Sequence, residues 1–120
     1  MNILFLEATQ DTPKIVLNKR EGIFEFTGRS ILEDAKSFYN PVVEWLKDYA
    51  KQPNPSTVFT FKLHYFNSST SKVIYDMLDV LKDIEGTQVV WCYGEGDDDI
   101  LEAGKEFEEE LEMTFSFKQV

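Results

Sequence analysis

The sequence predicts one α/β domain with the order βββαβαβαβ, a mixed sheet carrying helices mainly on one face. Two observations carry this. Three short apolar segments open the chain with no room for a helix between them. After Gly28 the apolar spacing switches from two to three and four, and helical and strand-like stretches then alternate to the end. No internal repeat or low-complexity linker divides the 120 residues, so residues 1–120 read as a single domain.

The opening strands are Asn2 to Glu7, Lys14 to Asn18 and Gly22 to Thr27, the last two forming a hairpin. In the third, Phe24 and Phe26 share one face while Ile23, Glu25 and Thr27 share the other. Ala35, Phe38, Tyr39, Val42, Val43, Leu46 and Tyr49 then fall at helical spacing. Ser30 with Glu33 is a capping box for that helix. Pro41 predicts either a kink or two short helices meeting near Asn40. After Pro53 to Ser56, the run Thr57 to Phe66 reads as the longest strand. Phe59, Phe61, Leu63 and Tyr65 are expected under the helices, with Thr60, Lys62 and His64 opposite. Val73, Ile74, Met77, Leu78, Leu81 and Ile84 stripe a second helix capped by Asn67 or a following serine and ended by Gly86. Thr87 to Tyr93 is a strand with Val89, Val90 and Trp91 buried. The last helix, about Ile100 to Leu111, turns Leu101, Phe107 and Leu111 inward, and Met113 to Phe117 closes the sheet.

Composition narrows the function. With 42% hydrophobic residues, including ten Phe, five Tyr and two Trp, the chain can pack a core without a staple. One Cys and one His exclude an internal disulfide and a zinc site built from these residue types, which fits a reducing, cytoplasmic setting. The opening MNILFLEATQDTPK has no basic n-region, and nowhere do 18 apolar residues run together. A net charge of −10 disfavours nucleic acid and membrane partners. That charge is local, because Glu95 to Glu112 holds ten acids against Lys105 alone.

Candidate chemistry is concentrated where the long strand hands over to the second helix. Asn67, Ser68, Ser69, Thr70 and Ser71 supply four hydroxyls, more than capping needs, and Lys72 adds a positive charge. A helix start favours an added phosphate by about 0.3 to 1 kcal/mol. The plainer reading is a redundant cap and a small-residue turn. Glu95 and Asp97 to Asp99 could gather a hard cation, but they lack EF-hand spacing and also suit a solvated helix start. His64 reads as a sheet-face imidazole and Cys92 as a buried, inert thiol. No phosphate-binding loop, nucleophile elbow or zincin motif occurs, so no catalytic residue is assigned.

Taken together, EATQDTPKI, GRSILEDAKSFYNPVVEWL, FKLHYFNSSTSK and LEAGKEFEEEL resemble, in order from about Leu6 to Phe117, the SiaC family of bacterial regulatory phosphoproteins. That resemblance implies a fold like the STAS domains of the anti-sigma factor antagonist type and needs no cofactor. It implies a partner switch: a histidine-kinase-like Ser/Thr kinase adds phosphate, a PP2C-type phosphatase removes it, and only the bare form binds an effector. In the family's namesake system the effector is a diguanylate cyclase, tying the switch to cyclic di-GMP and biofilm. Carried over by motif, the acceptor is Ser68, the residue after Asn67. The STAS-type pattern has Asp where this chain has Asn67 and Gly where it has Thr70 or Ser71, which leaves Ser69 and Thr70 open as acceptors. Ser68, placed at or next to the cap, is expected to lose about 0.5 to 2 kcal/mol on substitution by Ala. Two competing readings are a metal-assisted hydrolase using Glu95 and Asp97 to Asp99, and a scaffold that is never phosphorylated.

Overall fold

A computed structural model describes every residue from Met1 to Val120. Strands β1 (Leu4–Leu6), β2 (Lys14–Asn18) and β3 (Ile23–Ser30) make an antiparallel meander. Then follow α1 (Ala35–Lys51), β4 (Thr57–Phe66), α2 (Ser68–Lys82), β5 (Thr87–Tyr93), α3 (Asp98–Leu111) and β6 (Phe115–Gln119). The six strands lie in chain order, with β3 to β6 mutually parallel. Each parallel step moves to the next neighbour in the same direction through one helix. Right-handed crossovers therefore stack all three helices on one face and leave the other uncovered. Burial follows this rule: Phe59, Phe61 and Leu63 are buried, while Val58, Lys62 and His64 are exposed.

The covered face is aromatic. Phe26 stacks on Phe61 at 4.7 Å between ring centroids, and Trp91 lies 5.7 Å from both Phe61 and Phe107. Its indole N–H donates to the Ile100 carbonyl at 2.8 Å, which satisfies the one polar group of a fully buried ring. α3 can approach so closely because Gly104 faces that ring. A Cβ there would stand 2.5 Å from Trp91.

Several sequence expectations need correction. Ser30 does not cap α1. β3 runs on in parallel register to pair Ser30 with Phe66, and Asp34 is the cap, accepting from the Ser37 amide at 3.2 Å and its hydroxyl at 2.6 Å. Those two bonds hold the Asp34 carboxyl below its ordinary value. Pro41 does not split the helix. α1 runs unbroken through it, with Pro41 on the exposed side and Tyr39, Val42, Trp45, Leu46 and Tyr49 forming one buried stripe that spans it, so the two-helix alternative does not occur. Tyr65 is 51% exposed rather than under the helices. The β3–β4 register passes from Gly28 opposite Leu63 to Arg29 opposite Tyr65, so His64 is an extra residue and the alternation flips after it. Phe66 turns inward instead, its ring 6.2 Å from Trp91. On β5 the buried run is Val89, Trp91 and Cys92, with Val90 half-buried. In α3, which starts at Asp98, Ile100 and not Leu101 is buried, because Ile100 shares the stripe of Gly104, Phe107 and Leu111 at spacings of four, three and four. The final strand is displaced to Phe115–Gln119.

Candidate functional site

The ends of β3 and β4, the segment leading into α1 and the first turn of α2 are laced together by polar contacts. The Asn67 amide donates to the Ser30 carbonyl at 3.1 Å, and Asn67 Nδ2 reaches the Leu32 carbonyl at 2.9 Å. The Ile31 amide donates to the Asp11 carbonyl at 2.8 Å, bringing in the EATQDTPK loop. α3 completes the surroundings. A groove of about 510 Å³ between α2 and α3 is lined by Ser71, Lys72, Tyr75 and Asp76 on one wall and by Ala103, Glu106, Phe107 and Glu110 on the other. Four sequence motifs far apart in the chain thus meet around the start of α2.

Within that turn the candidate hydroxyls are not equivalent. Asn67 is the N-cap, its Oδ1 accepting from the Thr70 amide at 3.2 Å and from the Thr70 hydroxyl at 2.9 Å. Thr70 is fully buried and also contacts Ser30 Oγ at 2.8 Å. Ser69 accepts from the Ala35 amide at 3.1 Å and donates to the Glu33 carbonyl at 3.2 Å, fixing the start of α1 to α2. Ser68 is exposed, and its hydroxyl has no hydrogen-bond partner within the protein. A phosphate on Thr70 would require opening the core, and one on Ser69 would break the contact with α1. Ser68 alone of the three can take the group without structural loss. Because Asn67 does the capping, Ser68→Ala is expected to change stability by no more than about 0.5 kcal/mol, less than the cap position assumed from sequence.

Electrostatics at this turn suit an anion. The first amides of a helix have no intrahelical acceptor, and the first turn of α2 contains no acid. Lys72 lies four residues after Ser68, on the same helix face and exposed, within reach of a phosphate one turn away.

Beneath the turn lies a buried hydroxyl chain. The Tyr39 hydroxyl donates to Ser30 Oγ at 2.8 Å, and burial raises the Tyr39 pKa from 10.0 to about 12. The unfolded phenol ionises near pH 10 and the folded one only about two units higher. This contribution is therefore intact below pH 10 and is lost as pH climbs towards 12. Urea unfolding at about pH 9 and about pH 12 should differ by roughly 2 to 3 kcal/mol from this group, and Tyr39→Phe should flatten that part of the dependence.

The other candidates do not assemble into a site. Asp97 caps α3, accepting from the Ile100 amide at 3.3 Å, and Asp98 and Asp99 fill its first turn. No group of three His, Cys, Asp or Glu side chains is arranged to hold a metal ion, Glu95 and Asp97 to Asp99 included. Cys92 is buried, which pushes its thiol pKa up. His64 lies exposed at the β4 bulge, and no helix of the chain is long and apolar enough to cross a membrane.

Residues 6–120 match the family of SiaC regulatory phosphoproteins. The chain belongs to the SiaC family. Crystal structures agree at the level of fold. Apo-SiaC from Pseudomonas aeruginosa superimposes with a TM-score of 0.84 at 23% identity, covering 98% of this chain and 99% of that one. A crystal structure of the diguanylate cyclase SiaD in complex with its activator SiaC, also from P. aeruginosa, gives 0.89 at 23% identity over 98% and 99%. An uncharacterized protein of P. aeruginosa strain UCBPP-PA14 is 25% identical over 122 residues, covering 98% of this chain and 97% of that relative. Membership in the SiaC family makes this chain a regulatory protein.

Proposed function

We propose that this chain is a non-enzymatic cytoplasmic switch protein that binds and activates a diguanylate cyclase while Ser68 is bare and releases it when Ser68 is phosphorylated. The carrying observation is the sorting of hydroxyls: Ser68 is the exposed, unbonded one at a helix start beside a groove. A phosphate there adds about −1.5 to −2 charge and three acceptor oxygens. It can rest on the helix dipole and Lys72, so the fold tolerates it, while a partner packed over the same surface meets bulk and an unmatched charge. A Ser/Thr kinase of histidine-kinase-like fold and a PP2C-type phosphatase set the balance, and the output is cyclic di-GMP and biofilm. The family match supports the regulatory class, and the SiaD–SiaC complex supports the choice of effector.

Cyclic di-GMP synthesis tests this reading. The cyclase is assayed with the bare protein, with the kinase-treated protein, and after phosphatase treatment. Stimulation by the first, none by the second and recovery in the third are expected. Equal stimulation by bare and phosphorylated protein would refute the switch, and turnover abolished by changing Asp97 to Asp99 but not Ser68 would refute the non-enzymatic role.

A further inference from the structure

The uncovered face of the sheet has a charge pattern opposite to that of the chain. Lys14 pairs in register with Thr27, and Thr27 with Lys62. One step past the Phe61–Trp91 pair, Lys62 comes level with Cys92, which pairs with Lys118. The row Lys14, Thr27, Lys62, Cys92, Lys118 thus crosses five strands, with a lysine on every second one. All three lysines are exposed and share the uncovered side. The Lys14 ammonium lies 5.8 Å from the ring centroid of Phe5, and the charges of Lys62 and Lys118 both act on Cys92.

None of the three has a carboxylate within 4.0 Å, although the chain holds 22 acids; its one ion pair is Lys51 with Asp48. Glu25, one row below, is the sole acid within the strands on this face; Glu7, one residue past β1 and level with Lys14, and Asp97, at the shallow depression beside His64, border it. Below the lysines the face carries Phe5, 52% exposed, with Ile23 at 38% and Val58 at 41%. A surface of unpaired lysines edged by exposed apolar side chains is complementary to an acidic ligand with some apolar content.

We infer that this lysine row is a second docking surface, distinct from the Ser68 site, for an extended acidic segment of a partner protein. Spacing selects the occupant. Neighbouring strands are about 4.8 Å apart, so lysines on alternate strands repeat at about 9.6 Å. An extended polyproline-II chain brings every third residue to the same side at about 9.3 Å. Acids at every third position would meet Lys14, Lys62 and Lys118 in turn. The net charge of −10 does not forbid this at physiological salt, because exposed charges are screened beyond about 8 Å and the local lysines dominate. The same net charge acts against long polyanions and anionic bilayers, whose extent brings them near the acidic helices as well.

The probe is a synthetic peptide repeating Glu-Pro-Ser, titrated into the full chain and followed by amide chemical shifts. The expected result is saturable binding with shifts on β2, β4 and β6, weakened about tenfold or more in Lys14→Glu/Lys62→Glu/Lys118→Glu, and unchanged in Ser68→Asp. The neutral triple Lys→Gln variant should fall between, and all variants should keep the wild-type circular dichroism because every substituted side chain is exposed. A peptide of the same composition with Glu at every second position should bind more weakly. The inference is overturned by no saturable binding, by equal binding to the charge-reversed variant, by equal binding of the two spacings, or by shifts that map to the α2–α3 groove. Binding to vesicles of anionic lipid that depends on the same lysines, without peptide binding, would overturn it in favour of a membrane. Low-salt self-association abolished by the triple reversal would assign the face to a second copy.

Discussion

Ser68→Asp is expected to fold as wild type yet bind the proposed cyclase partner more weakly by about 3 to 5 kcal/mol, on the order of a hundredfold or more in Kd, whereas Ser68→Ala should bind within about twofold. The asymmetry follows from the geometry of the turn. The Ser68 hydroxyl has no partner to lose, so Ala removes little, while Asp places a charge at a helix start that stabilises it in the free protein and leaves it desolvated in a complex. Thermal unfolding checks the first half, since both variants should melt within a few degrees of wild type. Isothermal titration against the cyclase checks the second. Equal affinities for Ala and Asp would remove Ser68 from the docking surface.

The largest effect on stability is expected at Trp91 and the glycine that admits it. Trp91→Ala should cost about 3 to 5 kcal/mol, because a ring fully buried among Phe61, Phe66, Phe107 and Phe115 leaves a cavity that the sheet cannot close. Gly104→Ala tests the same contact from the other side. On helix propensity alone it should stabilise by about 1 kcal/mol. The added methyl would sit 2.5 Å from the indole, however, so α3 must move off the sheet and the net result should be a loss of about 1 to 3 kcal/mol. Denaturant midpoints decide the sign, and a stabilised Gly104→Ala would show that α3 packs more loosely than described.

The order of elements was legible because each has its own periodicity and punctuation: alternating Phe24 and Phe26, the stripe from Val73 to Leu81, and Gly86 between helix and strand. What escaped was set by tertiary context. The His64 bulge depends on how β3 and β4 pair, and no local pattern announces it, so Tyr65 and Phe66 exchange faces. Ser30 looks like a helix cap by its spacing to Glu33, yet it is recruited into a buried contact with Tyr39 and Thr70 from another part of the chain. The hydroxyl cluster was visible as composition, and the family resemblance singled out Ser68. Its difference from Ser69 and Thr70 is a matter of which hydroxyls the fold already uses. Only Leu32, Glu33, Ala35 and Ser30, all distant in sequence, show that. On α3 the sequence marks Phe107 as core and Glu106 and Glu110 as solvated acids, and nothing in it places those acids opposite Lys72 and Asp76.

The most direct test of the proposed switch is to phosphorylate the purified protein with the proposed kinase, map the phosphate by fragmentation mass spectrometry, and measure by calorimetry the affinity of that singly modified species for the proposed cyclase. Phosphate on Ser68, an unchanged fold and an affinity reduced on the order of a hundredfold or more are the expected result. Phosphate found only on Ser69 or Thr70, or a Ser68 phosphoprotein that binds the cyclase as tightly as the bare one, would contradict it.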